Sequence, residues 1–324
     1  PDPSGFLTPA AVLTSLAALL TGGLALAFNP LFAVSALAII LGVVTLRSAR
    51  RVRHDIVQGV LRIFAVIGIM GASTPGLQGI TRTWLINDLG GAQINPNRTW
   101  PGRENGNTVE RHSWLITNKL IKGNVDAAVD HHTGGTGTDF AKFIFVYANN
   151  PESIALAKLF PADQIMLDPG YPGTMEYSLV MAGIPAMTTE LGGARGFKPE
   201  MVKMGADGNS NVLVHYGIID APMRPTSADT AVFIGDDLES ANAVTGGYVT
   251  VLVKLNEAVT KGQKIAVQRN SFGDVVQEYL APANGRVAII GTDSATERGG
   301  TIVSLLVDRN SCANGACDFG GIEP

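Results

Sequence analysis

The chain has 324 residues, of which 46% are hydrophobic, 16% charged and 6% aromatic, with a formal net charge of −4. That length provides for two or three domains with a substantial core. The slight negative balance and the absence of a large basic face exclude nucleic acid as the main partner, and the sparse aromatics disfavour a base-stacking surface.

The apolar content is concentrated at the start. Gly5–Leu46 carries no charged residue, a run long enough for two membrane spans of about 20 residues each. Asn29-Pro30 supplies a turn at its middle. The cluster Arg47–His54 follows, and then a third apolar stretch, Ile56–Ala72, interrupted by Arg62. Residues 1–72 are therefore expected to be a hydrophobic helical region, a hairpin whose length assigns it to a membrane. A buried hairpin in a soluble protein is the competing reading. Localisation follows the same fork: membrane-anchored through residues 5–72, otherwise cytoplasmic. Residues 73–91, punctuated by Thr74-Pro75-Gly76 and Gly90-Gly91, are expected to be a linker.

From residue 92 to 225 strands and helices alternate. Asn107 followed by Glu110 marks a helix start; Trp114, Leu115, Leu120 and Ile121 give it an apolar face, and Gly123 ends it. A strand is predicted over Val125–Val129 and another over Phe143–Tyr147. Helices are predicted from Pro151 to Leu159 and over Met175–Met181, and a strand over Ala186–Thr189. The alternation indicates an α/β layer with a largely parallel sheet, in which sites form beyond the carboxyl ends of strands.

Two of those strand ends carry chemistry. The first runs into Asp130-His131-His132-Thr-Gly-Gly and the second into Glu190-Leu-Gly-Gly. Acids and imidazoles entering a glycine turn are where metal ligands and catalytic bases are commonly placed; polar turn residues closing a buried strand are the plainer alternative.

Residues 226–324 read as a β-rich domain. Short β-type runs at Tyr248–Lys254, Lys264–Gln268, Val275–Leu280, Arg286–Ile290 and Thr301–Val307 are separated by turns at Lys261-Gly262, Ser271-Phe-Gly273 and Asn284-Gly285. Cys312 and Cys317, spaced C-x4-C in a glycine-rich tail, have no second pair or histidine for a zinc knuckle; a small disulfide loop and two free thiols both fit.

Three ordered motifs carry a family resemblance. Asn95-Pro-Asn97-Arg98-Thr-Trp-Pro101-Gly102, Asp130-His-His132-Thr-Gly and Thr189-Glu190-Leu-Gly resemble the succinylglutamate desuccinylase/aspartoacylase family, a branch of the zinc-carboxypeptidase superfamily, over about residues 92–307. The apolar N-terminus loosely resembles small membrane-hairpin modules of actinobacterial proteins, a likeness that fixes no activity. The resemblance implies an α/β fold: a truncated zinc-carboxypeptidase-like mixed sheet with flanking helices, followed by a small all-β domain and preceded by the hydrophobic hairpin. It implies a zinc-dependent hydrolase that cleaves the amide of an N-acyl amino acid or similar small carboxylate substrate. His132 would ligate zinc, Asp130 and His131 would stand behind it, Glu190 would be the general base, and Asn97 and Arg98 would hold the substrate carboxylate.

One departure is large. The family draws its other two zinc ligands from a His-x-x-Glu motif, and none occurs in this chain. One imidazole is too few for a catalytic zinc, which normally takes three protein ligands. A catalytically impaired or membrane-tethered carboxylate-binding protein is therefore the second reading. Oligomeric state, acyl group and membrane orientation have no signature in the sequence.

Overall fold

The computed structural model describes residues 86–87, 93–193 and 196–309, and the chain divides after Asn124 into two units. The hydrophobic hairpin, the basic cluster, most of the linker, Cys312 and Cys317 lie outside the described residues. Among the described residues no helix is long and apolar enough to cross a membrane.

In the N-terminal unit, strand β1 (Ile86–Asn87) pairs antiparallel with β2 (Gln93–Ile94). A single 3-10 turn, Pro96–Arg98, follows; Asn95 caps it by accepting the Asn97 backbone N–H at 2.8 Å. Helix α1 (Thr108–Leu115) opens with the expected reciprocal cap. The Asn107 side chain accepts the N–H groups of Val109 and Glu110, and Glu110 accepts the N–H of Asn107. Beyond Leu115 the helix widens into a π turn, Ile116–Ile121, and the chain leaves it through Gly123 at φ 73°. The buried positions are Val109, Ser113, Ile116, Thr117 and Ile121; Leu115, expected on the apolar face, lies off that stripe and is 40% exposed.

The C-terminal unit is built on a five-stranded sheet in the order β3-β7-β5-β6-β8. Its members are β3 (Ala128–His132), β5 (Lys142–Tyr147), β6 (Gln164–Asp168), β7 (Ala186–Leu191) and β8 (Phe233–Gly235), with the short β4 (Thr138–Phe140) outside it. The β3–β7, β5–β6 and β6–β8 pairs are parallel, but β5 and β7 run antiparallel. The sheet is therefore mixed, as the family resemblance implies, and still largely parallel, as the alternation of elements suggests, with β5–β7 its one antiparallel pairing. Helices α2 (Pro151–Lys158) and α3 (Met175–Met181) match the sequence reading, while α4 (Pro199–His215) is an addition to it. One face of the sheet is closed by an apolar core that includes Ile144, Val146, Leu156, Phe160, Ile165, Leu167, Met187 and Met204.

The β-rich part follows as β9 (Asp237–Asn242), β10 (Gly247–Val251), β11 (Ala258–Val259), β12 (Lys264–Arg269), β13 (Val275–Leu280), β14 (Gly285–Gly291), β15 (Ala295–Thr296) and β16 (Thr301–Val307). They form a four-stranded sheet, β13-β12-β10-β15, and a five-stranded one in which β11, β14, β16 and β9 are joined by β4 from the α/β region. The exchange goes both ways. β4 pairs with β14, while β8, just ahead of β9, extends the α/β sheet. Gly235 sits where the chain crosses between them, and a Cβ there would overlap the Val307 carbonyl. Phe140, Phe143, Met166, Ala288 and Leu306 form one buried cluster from both parts, and Gln164 of β6 donates to the Val287 carbonyl at 2.9 Å.

Candidate active site

Strand β3 does not stop at Val129; it runs through His132, and β7 runs through Glu190 to Leu191. Both strand ends are thus ladder residues, held by sheet hydrogen bonds before the chain turns. The parallel register sets Asp130 opposite Thr188, and His132 opposite Glu190. Residues opposite each other, and every second residue along a strand, share a face. Asp130, His132, Thr188 and Glu190 therefore line one face together.

The two glycine turns beyond them are joined. The Gly134 N–H donates to the Gly192 carbonyl at 2.8 Å. Gly192 holds φ 80°, and a Cβ on Gly193 would strike the Thr138 carbonyl. The glycines recognised in the sequence are needed for this close approach of three backbone segments.

His132 Nε2 lies 3.0 Å from Asp130 Oδ2, and both side chains are about one-fifth exposed. The ring is therefore oriented by the acid two residues earlier. Glu190 is 8% exposed and its Oε2 has no hydrogen-bond partner in the protein. Burial pushes its carboxyl up to about 7; the charge of Asp130 adds to the rise, and His132 opposes it. Its cross-strand neighbour is the fully buried Phe143, so the carboxyl rests on an apolar floor. A carboxyl titrating near neutrality can both take and return a proton.

His131 points to the other face. Its Nδ1 hydrogen-bonds with Thr189 Oγ1 at 2.8 Å and its Nε2 with the Asn209 side chain on α4. Phe160 approaches the ring at 6.3 Å between centroids. It does not join His132 and Glu190.

Further along the site face lie two acids that the sequence reading did not single out. Glu176, on the first turn of α3, is 6% exposed and Asp168, the last residue of β6, is 1% exposed. Thr188 Oγ1 donates to Glu176 Oε2 at 3.2 Å, and the Gly170 N–H donates to Asp168 Oδ1 at 2.7 Å. Nothing in the sequence marks them: Asp168 closes a strand that no alternation announces, and Glu176 reads as an ordinary first-turn acid.

Asn97 and Arg98 belong to the N-terminal unit, on the Pro96–Arg98 turn. Arg98 is exposed, and its Nη1 donates to the Asn97 carbonyl at 2.6 Å. That bond engages one prong of the guanidinium on the exposed side chain. Gly102 closes the motif at φ 88°; a Cβ there would overlap the Glu110 carbonyl and the Trp114 backbone of α1. A shallow groove in the same unit, lined by Arg103, Glu110 and Trp114, is spanned by an Arg103–Glu110 ion pair.

The donor set does not make a zinc site. Among the described residues no group of three His, Cys, Asp or Glu side chains is placed to hold a metal ion. Among the described residues of the C-terminal unit, His132 is the one imidazole on the site face, and its Nε2 is engaged by Asp130. Three protein ligands are the norm for catalytic zinc, so this constellation does not by itself fit the metal that the resemblance implies.

Comparison with known proteins places this geometry. Residues 75–216 match the family model of the succinylglutamate desuccinylase/aspartoacylase catalytic domain. The chain is similar to an N-alpha-acetyl-L-2,4-diaminobutyric acid deacetylase of Halomonas elongata, 26% identical over 265 residues that cover 79% of this chain and 74% of the other. Among solved structures it is similar to the product-bound ectoine utilization protein EutE (DoeB) of Ruegeria pomeroyi, at 25% identity and a TM-score of 0.60, covering 66% of this chain and 68% of that one. A succinylglutamate desuccinylase/aspartoacylase of Rhodobacter sphaeroides shares the fold, with a TM-score of 0.59 at 22% identity over 68% of this chain and 69% of that one. The ordered motifs, the mixed sheet and the match over residues 75–216 together make this part of the chain similar to the catalytic domain of the succinylglutamate desuccinylase/aspartoacylase family.

Proposed function

We propose that the protein hydrolyses the amide bond of a small N-acyl amino acid, with Glu190 as the proton-transfer group. The observation that carries this reading is the Glu190 carboxyl, buried at the end of β7 beside His132 and raised to about 7. As carboxylate it takes a proton from water attacking the acyl carbon; as acid it returns that proton to the departing amine. Asp130 orients the His132 ring alongside. Asn97 and Arg98 are the candidates for the substrate carboxylate, through the exposed guanidinium described above. The Halomonas relative, a deacetylase of an N-acetylated diamino acid, supports the substrate class. Zinc remains the family's expected cofactor, and His132 is the residue that would hold it.

The second reading is carboxylate binding without turnover, and the incomplete donor set favours it. One set of experiments separates the two. Purified protein is assayed with N-alpha-acetyl-L-2,4-diaminobutyrate and N-succinylglutamate, with zinc added and after chelation, and its zinc content is measured. Turnover that is lost in Glu190→Gln supports the hydrolase. No turnover, with saturable carboxylate binding that Arg98→Ala removes, supports the binding protein and ends the hydrolase reading.

A further inference from the structure

His132 and Glu190 sit where a strand is weakest. His132 is the last residue of β3 and Glu190 the last but one of β7, and element ends open more readily than element centres. Beyond them, three contacts tie the two exits together. The Gly134 N–H donates to the Gly192 carbonyl at 2.8 Å. Gly193 lies so close to β4 that a Cβ on it would fall 2.7 Å from the Thr138 carbonyl and 3.2 Å from Asp139 Oδ1. The third contact is between side chains: Lys198 Nζ forms an ion pair with Asp139 Oδ2.

Neither charge suits its own element. Lys198 is the N-cap of the 17-residue helix α4 and makes no side-chain cap there; a cation at that end opposes the helix dipole. Asp139 is the middle residue of the three-residue β4, and aspartate is a poor strand former. Its side chain is 14% exposed, and its Oδ1 is buried with no hydrogen-bond partner. Each residue is therefore costly alone and is compensated by the other. Asp139 also has a firm base, since β4 pairs with β14 through the Asp139–Ile290 register and the Thr292 N–H donates to the Gly137 carbonyl at 2.9 Å.

We propose that Asp139 and Lys198 are positioning residues, whose ion pair clasps the turn leaving His132 to the chain leaving Glu190 and keeps the two strand ends in register. The contacts form a closed circuit. The His132–Glu190 register stands at one end, the Gly134–Gly192 bond in the middle and the Asp139–Lys198 pair at the other. With the pair broken, only one backbone bond and the last rungs of the ladder oppose fraying at the site. Asp139 and Lys198 act through the turns and not on the reacting atoms. The clasp stands on these contacts alone; its consequence for turnover rests on the hydrolase reading above.

Amide hydrogen exchange and steady-state kinetics of the full chain test it, in Lys198→Met, Lys198→Arg, Asp139→Asn and the double variant Asp139→Asn/Lys198→Met. Lys198→Met should speed exchange of the Gly134 amide about tenfold while the amides of Lys142–Tyr147 keep their rates. Lys198→Arg, which retains the charge, should keep Gly134 protected. The double variant should exchange no faster at Gly134 than Lys198→Met does, because the two residues act as one. Asp139→Asn, which preserves the shape of the acid, gives the same reading should Lys198→Met fail to fold. With N-alpha-acetyl-L-2,4-diaminobutyrate as substrate, Lys198→Met should lower kcat about tenfold with KM within about threefold, and Lys198→Arg should restore kcat. An unchanged Gly134 rate, additive effects in the double variant, or equal acceleration at Gly134 and throughout Lys142–Tyr147 would overturn the clasp. A loosened Gly134 with unchanged kcat would overturn the positioning role. A wild type without turnover ends the hydrolase reading instead, and the exchange rates then judge the clasp by themselves.

Discussion

At the residue scale, the two tandem histidines separate by strand alternation alone. His132 faces Glu190, while His131 is tied to Thr189 and Asn209 on the reverse face. His132→Ala should therefore abolish whatever turnover or ligand binding the protein has. His131→Ala should leave kcat/KM within about threefold, with its cost appearing in the melting temperature instead. Equal kinetic losses in both would contradict the assignment of faces. Glu190 yields a coupled prediction. If it acts as carboxylate, kcat/KM rises with pH through about 7, and Glu190→Gln lowers it roughly 100- to 10,000-fold. The same substitution should stabilise the fold. A carboxyl raised from 4.5 to about 7 costs stability progressively across that interval and fully above it, on the order of 3 kcal/mol. Glu190→Gln should thus melt higher than wild type at pH 8 and show little difference at pH 4. A variant that is inactive and also less stable at pH 8 would argue against a strained functional carboxyl.

At the scale of elements, legibility in the sequence followed the strength of local signals. Strands Val275–Leu280 and Thr301–Val307 and helix Met175–Met181 occupy the residues that pattern assigns to them, because β-branched runs and turn chemistry act locally. Helix α4 is hidden because Gly205, Gly208, Asn209 and Asn211 are weak helix formers. In the fold Gly208 admits the Phe160 ring, which a Cβ would overlap, and Asn211 bonds the Leu159 carbonyl. Strand β6 is hidden for a related reason: its ends, Gln164 and Asp168, are polar, and only tertiary partners explain their burial. The motif ending in Pro101-Gly102 was legible as a motif but not as packing. Gly102 lies against the α1 backbone at a positive φ. Gly102→Ala should destabilise the N-terminal unit by about 3 kcal/mol, through backbone overlap and left-handed strain together. Asn107→Ala, which removes only the cap, should cost about 1 kcal/mol. Hydrogen exchange across Thr108–Leu115 would rank the two; an alanine at 102 that protects the helix as well as glycine does would refute the close approach.

At the scale of the whole molecule, the sequence suggests an α/β part and a β-rich part in succession, while the fold beyond Asn124 interleaves them. β4 leaves the first to pair with β14, β8 joins the first from the threshold of the second, and the cluster of Phe140, Phe143, Met166, Ala288 and Leu306 belongs to both. Such pairings connect residues far apart in the chain, Gln164 with Phe233 and Phe140 with Ile289, which no local pattern can announce. They also couple the site to the β-rich sheets, since Phe143 is at once a member of that cluster and the cross-strand neighbour of Glu190. Leu306→Ala tests the coupling from the far side. Leu306 is fully buried, so truncation removes transfer energy and leaves a cavity, at a cost of about 2–5 kcal/mol. If the two parts share one core, that loss appears equally in both. Amide protection in β6 and in β16 should fall together, and unfolding should remain a single transition. Because the cavity opens beneath Phe143, the pH at which Glu190 titrates should also drop as its apolar floor loosens and water enters. Protection lost in β16 alone, with β6 and Glu190 unmoved, would show that the β-rich sheets are a separate cooperative unit appended to the site rather than part of its foundation.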